Sequence, residues 1–248
     1  MISKNKIKYI TSLQNKKFRQ KYNKFIIEGY KTVLDVIDSE YHVSEIYTSN
    51  IDKYKLSINK SDFELVEIAE EEMKKISFFK TASDILAIVD FKNKDNSIIN
   101  NKGITLCLAD IQDPGNLGTI IRSANWFGIE NIVCSQNTVD LFNPKTLQAT
   151  MGAFANTNII YADLEKYLSK TKLKVYGTFL DGENIYESNL DKNCIVIMGN
   201  EGKGIPDNIA KLVSDKITIP NFAGNKLKAE SLNVSTSTAI ILSEFKRR

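Results

Sequence analysis

Residues 104–127 read ITLCLADIQDPGNLGTIIRSANWF, and the architecture of the chain can be read from how this stretch changes character along its length. Ile104–Ala109 is a continuous apolar run, the pattern of a strand buried on both faces of a parallel sheet. Pro114 and Gly115 then mark a turn. Asn116 is placed to cap a helix. That helix is expected over Asn116–Phe127, with Leu117, Ile120, Ile121, Ala124 and Phe127 along one face. Strand, tight turn and amphipathic helix, in that order, form the repeating unit of an α/β fold.

The same alternation continues downstream. Strands are expected at Asn131–Cys134, Asn158–Tyr161, Lys174–Leu180, Cys194–Met198 and Lys216–Ile219, with helical stretches between most of them. A final helix is expected over Ser231–Phe245, with Leu232, Ala239, Ile240 and Leu242 for burial. The reading is a mostly parallel sheet covered on both faces. Upstream, strands at Phe25–Glu28, Val43–Thr48 and Ile85–Phe91 alternate with helices at Tyr30–Ser39 and Ala69–Ile76, making a smaller α/β unit. The two parts are separated by Lys92–Lys102 (KNKDNSIINNK), whose Asn and Lys content marks a linker. The expected organisation is therefore residues 1–91, a linker at 92–101, and residues 102–248.

The 248 residues include 42% hydrophobic and 25% charged, enough apolar material for real cores and no case for wholesale disorder. No apolar run approaches the roughly 20 residues that span a bilayer. Met1–Gln20 has no apolar segment of the secretory type, so a cytoplasmic protein without a membrane partner is expected. Cys107, Cys134 and Cys194 are odd in number and far apart, each within an apolar run, so they are expected as buried thiols rather than disulfides or zinc ligands. His42 is the only histidine, which excludes a histidine-built metal centre and leaves a serine–histidine mechanism without a nucleophile elbow. A surface or interface position is expected for it. The net charge of +3 is uneven: Met1–Lys31 carries nine basic residues against Glu28 alone, a local +8. Tyr9, Phe18 and Tyr22 lie within that stretch. Basic and aromatic residues together suit a phosphate-rich partner with bases to stack.

In open α/β sheets, ligands bind beyond the carboxyl ends of the strands, so the segments after three strands matter most. The first is Asp110–Asn116 with Arg122 further along the helix; taken alone, a cap and a surface residue account for it. The second is Gly199–Gly204 (GNEGKG). It fits neither the Walker A spacing nor GxGxxG. Its glycines suggest close backbone approach to a ligand, and Glu201 among them disfavours a phosphate and favours a neutral or cationic one. The third, Ser231–Thr238 (SLNVSTST), is too polar for a routine buried helix unless its hydroxyls find partners.

Together, DIQDPGNLGTIIRSANWFG, IVIMGNEGKGIP and IPNFAGNKLKAESLNVSTSTAIIL resemble the three signature motifs of the SpoU/TrmH branch of the SPOUT methyltransferases, in order and at the right strand ends, over roughly residues 102–248. FIIEGYKTVLDVI, more weakly, resembles part of the ribosomal-protein-like RNA-binding domain that precedes many of these enzymes. The resemblance implies a C-terminal trefoil-knotted, parallel-sheet domain that binds S-adenosylmethionine, whose sulfonium is cationic. It implies methylation of a ribose 2′-hydroxyl in RNA by a homodimer; the additional N-terminal unit, a second surface for reading RNA shape, favours ribosomal over transfer RNA. Cofactor contacts would fall on Thr178, Gly199, Asn200, Ile219 and Leu232. The catalytic centre would hold Asn116, Arg122, Glu201, Ser231 and Asn233. A guanidinium has no lone pair to accept a proton, so Arg122 is expected to grip an RNA phosphate or stabilise the developing alkoxide. Ser231 and Asn233 would orient the ribose, and Glu201 would hold Asn or Arg side chains in place. The stretch between Gly224 and Ser231 is longer than the family pattern, and Lys226 and Lys228 are expected to add RNA contacts there. Rival readings are a transfer-RNA methyltransferase, a non-catalytic RNA binder, a base methyltransferase and an ordinary nucleotide-binding enzyme. The catalytic set disfavours the second, GNEG and SLNVS the third, and the missing phosphate-loop fingerprints the fourth.

Overall fold

Polar residues with local caps build the first elements. In a computed structural model that describes residues 2–54, 63–92, 102–223 and 230–247, Ser3 caps α1 (Lys4–Ser12) by accepting from the Lys6 N–H, and Asn15 caps α2 (Lys16–Tyr22) by accepting from the Lys17 N–H. Next come β1 (Lys24–Glu28), α3 (Tyr30–Ile37), β2 (Val43–Thr48), α4 (Ile51–Tyr54), β3 (Glu64–Glu67), α5 (Glu70–Ile76) and β4 (Ile85–Asp90). Three acids in the first turn of α5 and two lysines in its last complement the helix dipole. The strands form a sheet of order β1-β4-β2-β3, in which only the β2–β3 pair is parallel. One core beneath it joins Ile10, Leu13, Ile26, Met73, Ile76 and Leu86. Burial of each such side chain contributes roughly 1.5–3 kcal/mol before conformational entropy is subtracted. His42 sits at the surface with Nδ1 2.6 Å from Asp90 Oδ2.

The second run comprises β5 (Ile104–Leu108), α6 (Pro114–Trp126), β6 (Asn131–Ser135), α7 (Pro144–Thr150), a short 3-10 turn (Ala153–Asn156), β7 (Asn158–Ala162), α8 (Leu164–Leu168), β8 (Lys174–Asn184), β9 (Cys194–Met198), α9 (Asp207–Ala210), β10 (Asp215–Thr218) and α10 (Val234–Arg247). By contacts the chain forms two compact units, and Leu141–Ala155 groups with residues 1–95. Within that first unit, the Phe142 ring packs 4.6 Å from Phe25 between centroids.

The second unit holds a six-stranded, wholly parallel sheet of order β10-β8-β9-β5-β6-β7. Every residue of β5 and β9 is buried, as their unbroken apolar runs require. Cys107, Cys134 and Cys194 are buried free thiols. Burial pushes their acidities down; the Cys194 thiol pKa rises to about 12, with Asp191 adding to the effect. From β5 the chain proceeds outward through β6 and β7, whereas β9 leads to β10 on the opposite side. The carboxyl ends of β5 and β9 thus flank the point where the strand order reverses, the crevice in which such sheets bind ligands.

Several expected boundaries move. Asn116 does not cap α6: Asp113 does, accepting the Asn116 N–H at 2.8 Å, with Pro114 as the first helical residue. Pro lacks the N–H that a first-turn position leaves unpaired, so it fits there. Phe127 lies just past the helix. The last helix starts at Val234 rather than Ser231, so Leu232 is 51% exposed rather than buried. Strand β8 runs on to Asn184, with a register break at which Lys216 pairs with Gly177 but Ile217 with Glu183. Residues 93–101 of the expected linker lie outside the described residues, as do Lys226 and Lys228.

Candidate active site

The site is built from three loops of the second unit. At the end of β5, the Ala109 N–H still bonds the Met198 carbonyl of β9 at 2.9 Å, so the two strands release their loops side by side. The β5 loop turns at Asp110 and enters α6, whose third residue is Asn116.

The β9 loop folds back on itself. Asn200 and Gly204 exchange two N–H···O bonds, both 2.9 Å. A Cβ at Gly199 would lie 2.4 Å from the Gly204 carbonyl carbon, so only glycine fits. The close approach expected from these glycines is therefore made by the loop's own backbone. Asn200 Nδ2 donates to the Asp110 carbonyl at 2.8 Å, while its Oδ1 accepts from the N–H groups of Gly202 and Lys203 at 3.0 Å each. The result is a rigid turn carrying Glu201 at its exposed side.

The third loop ends at Asn233, which caps α10. Its Oδ1 accepts from the Ser235 N–H at 2.9 Å, the Thr236 N–H at 3.3 Å and the Ser235 hydroxyl at 2.6 Å. Ser237 and Thr238 return their hydroxyls to the Val234 carbonyl, which gives that polar stretch its partners.

Two hydrogen bonds join the loops. Asn116 Nδ2 donates to Glu201 Oε1 at 2.9 Å, and Asn116 Oδ1 accepts from Asn233 Nδ2 at 2.9 Å. The polarity of this chain is fixed. A carboxylate only accepts, so Asn116 turns its nitrogen to Glu201 and its oxygen to Asn233; Asn233 then turns its own oxygen into the helix start. The expected role of Glu201 as a holder of an Asn side chain matches this geometry.

Arg122 and Ser231 stand apart from this chain. Both are exposed, and neither side chain makes a hydrogen bond or ion pair among the described residues. Arg122 extends from α6, six residues beyond Asn116 and on a different face of the helix. Thr178 is the first residue past the β8–β9 pairing and donates to the Ile197 carbonyl at 3.0 Å. With Gly199, Asn200 and Ile219 it lies at the ends of the adjacent pairings of β8, β9 and β10. These positions suit a cationic sulfonium with an aromatic base: Glu201 is the only acid among the expected site residues, Arg122, their one cation, projects from a different face of α6 than Asn116, and Ile219 and the exposed Leu232 supply apolar surface. Sequence reading missed Asp113 as the cap of α6 and Asp110 as the anchor of Asn200. An Asp immediately before Pro-Gly carried the signal for the first.

The chain matches the profile of the SpoU rRNA Methylase family over residues 103–243, and that of the MRM3-like substrate binding domain over residues 4–87. It is 29% identical over 241 residues to the 23S rRNA (guanosine(2553)-2′-O)-methyltransferase RlmP of Bacillus subtilis, an alignment covering 96% of this chain and 94% of that one. A TrmH-family protein of Porphyromonas gingivalis superposes with a TM-score of 0.88 at 34% identity, over 100% of this chain and 99% of the other. The AdoMet-bound rRNA methyltransferase of Sinorhizobium meliloti superposes with a TM-score of 0.87 at 27% identity, over 100% and 97%.

Proposed function

This chain belongs to the SpoU rRNA methylase family, and from that premise we infer that it is an S-adenosylmethionine-dependent enzyme that methylates a ribose 2′-hydroxyl of ribosomal RNA. The observation that carries the reading is the Glu201–Asn116–Asn233 chain of hydrogen bonds, which locks the three motif loops into one surface at the switch point of the sheet.

S-adenosylmethionine supplies a methyl group made electrophilic by a positively charged sulfur. The protein has three remaining tasks: to hold the 2′-oxygen in line with that methyl, to stabilise the negative charge that develops on the oxygen, and to let the hydroxyl proton leave to solvent, since Arg122 has no lone pair to take it. Asn116 and Asn233, rigid because every amide atom is committed, give a fixed wall on which the ribose can be aligned. Glu201 secures that wall from the β9 loop. Exposed Ser231 has a hydroxyl available to the ribose. Arg122, permanently charged, is available either to grip a phosphate with two parallel bonds or to stabilise the developing alkoxide. Thr178, Gly199, Asn200, Ile219 and Leu232 would hold the cofactor. The RNA is read further by the N-terminal unit, whose basic helices α1 and α2 carry Tyr9 and Phe18, each packed near Tyr22.

Exposed Trp126, Leu180 and Phe222, each more than four-fifths accessible, support a homodimer in which such apolar side chains are covered. A ribosomal substrate and three unpaired thiols suit a cytoplasmic protein. The family's trefoil knot belongs to this proposal too, since part of the path from β10 to α10, residues 224–229, lies outside the described residues.

The test is methyl transfer in vitro. Purified protein and labelled S-adenosylmethionine are combined with ribosomal RNA and, separately, with transfer RNA, and each RNA is digested to nucleosides. The expected label elutes as a 2′-O-methyl nucleoside. Label in a methylated base, or only in transfer RNA, would overturn the corresponding part of the reading.

A further inference from the structure

We infer that Asp110 is a positioning residue for the methyl-transfer site: Ser135 holds its left-handed turn so that its carbonyl oxygen fixes Asn200. The inference rests on the proposed function and deepens it.

Asp110 has φ +59°, one of three non-glycine residues with positive φ among those described. The other two, Asn23 and Met151, sit just past the ends of α2 and α7, where left-handed residues routinely terminate helices. Asp110 ends no helix. It comes after a buried strand, at the mouth of the site. A left-handed residue with a Cβ is disfavoured and persists where its surroundings over-determine it. Here they do. The Asp110 N–H donates to Ser135 Oγ at 2.9 Å, and the same hydroxyl donates to Asp110 Oδ1 at 2.7 Å, closing a ring around the residue. Thr138 Oγ1 lies 3.0 Å from Ser135 Oγ and donates to the Leu108 carbonyl at 3.2 Å. Asn137 Nδ2 reaches Asp110 Oδ2 at 3.4 Å. Ser135 ends β6, and Asn137 and Thr138 lie in the turn that follows it.

The consequence is directional. The left-handed turn aims the Asp110 carbonyl across to β9, where it accepts Asn200 Nδ2 at 2.8 Å. With that nitrogen committed, Asn200 Oδ1 takes the Gly202 and Lys203 N–H groups and curls the loop that presents Glu201 to Asn116. An extended residue at 110 would turn the carbonyl away and leave Asn200 without its anchor. Position therefore passes from β6 through Asp110 and Asn200 to Glu201 and Asn116.

The test compares the full-length enzyme with Asp110→Ala, Asp110→Asn, Ser135→Ala, Asn200→Ala and the Asp110→Ala/Asn200→Ala double variant, measuring kcat/KM on ribosomal RNA. Asp110→Ala is expected to lose about tenfold or more. Asp110→Asn is expected to retain most activity, because Asn tolerates the left-handed region and can still accept from Ser135. On the Asn200→Ala background, Asp110→Ala should add less than about twofold, since both break one relay. Should Asp110→Ala fold poorly, Ser135→Ala, which leaves the backbone chemistry intact, is expected to show a several-fold loss on its own. Full activity in Asp110→Ala, equal losses in the Ala and Asn variants, or strictly additive losses would overturn the inference. An active wild type with indifferent Asp110 variants overturns this inference alone. An inactive wild type removes the reading beneath it, and the inference with it.

Discussion

The Asn116 amide is gripped on both sides by residues distant in sequence: its nitrogen by Glu201, 85 positions away, and its oxygen by Asn233, 117 positions away, each at 2.9 Å. Flipping the amide would set its oxygen against the Glu201 carboxylate, acceptor to acceptor, and its nitrogen against Asn233 Nδ2, donor to donor. Asn116→Asp would place an oxygen against the Glu201 carboxylate, and the two acids would repel or share a proton. Displacement on the ångström scale at a methyl-transfer centre is expected to lower kcat by about 10²-fold. Single-turnover transfer from labelled S-adenosylmethionine, with circular dichroism to verify the fold, checks this. Unchanged turnover would reduce the chain to a loop fastening.

Arg122 makes no ion pair among the described residues, so its charge is unspent in the free protein. Arg122→Lys keeps the charge but loses the planar fork. A loss of about tenfold in kcat/KM for RNA, equivalent to ~1.4 kcal/mol, is expected with cofactor affinity unchanged. Titration calorimetry alongside initial rates separates the two. Full turnover in Arg122→Lys would rule out a bidentate grip.

Gly199→Ala introduces a Cβ 2.4 Å from backbone that has no rotamer to move. Destabilisation of about 1–3 kcal/mol, with weakened S-adenosylmethionine binding, is expected from thermal unfolding and calorimetry. A fully stable variant with normal binding would mean that the β9 loop yields more easily than its close packing implies.

Glu28 offers a pH test in the first unit. Burial raises its carboxyl pKa, outweighing the bonds it accepts from Ser77 and the Phe78 N–H. The folded protein therefore keeps this proton to a higher pH than the unfolded chain does. Stability is lost as pH rises from the ordinary carboxylate range through the raised folded value. Thermal midpoints of wild type and Glu28→Gln measured across that range should diverge, with wild type falling relative to the variant. Parallel curves would contradict it.

The parallel sheet was legible because β5 and β9 are short unbroken apolar runs, a signal that survives without context. The capping of α6 was not: both Asp113 and Asn116 are capping types, and spacing alone did not show that Pro114 already sits inside the helix. Helices α1 and α2 escaped because lysines dominate them, so their charge was plain and their periodicity was not. β3, the four residues ELVE, lies at a sheet edge with no residue buried. Among the site residues, motif order brought Asn116, Glu201 and Asn233 forward, and the fold joins them. Asp110 gave no sequence signal, because its importance lies in a backbone angle that only its tertiary partners impose.

Mass-spectrometric nucleoside mapping of ribosomal and transfer RNA, from cells with and without this gene, is the decisive experiment. Loss of one 2′-O-methyl nucleotide from ribosomal RNA, with transfer RNA unchanged, is the expected result. Identical ribosomal RNA from both strains, or a loss confined to transfer RNA, would contradict the account.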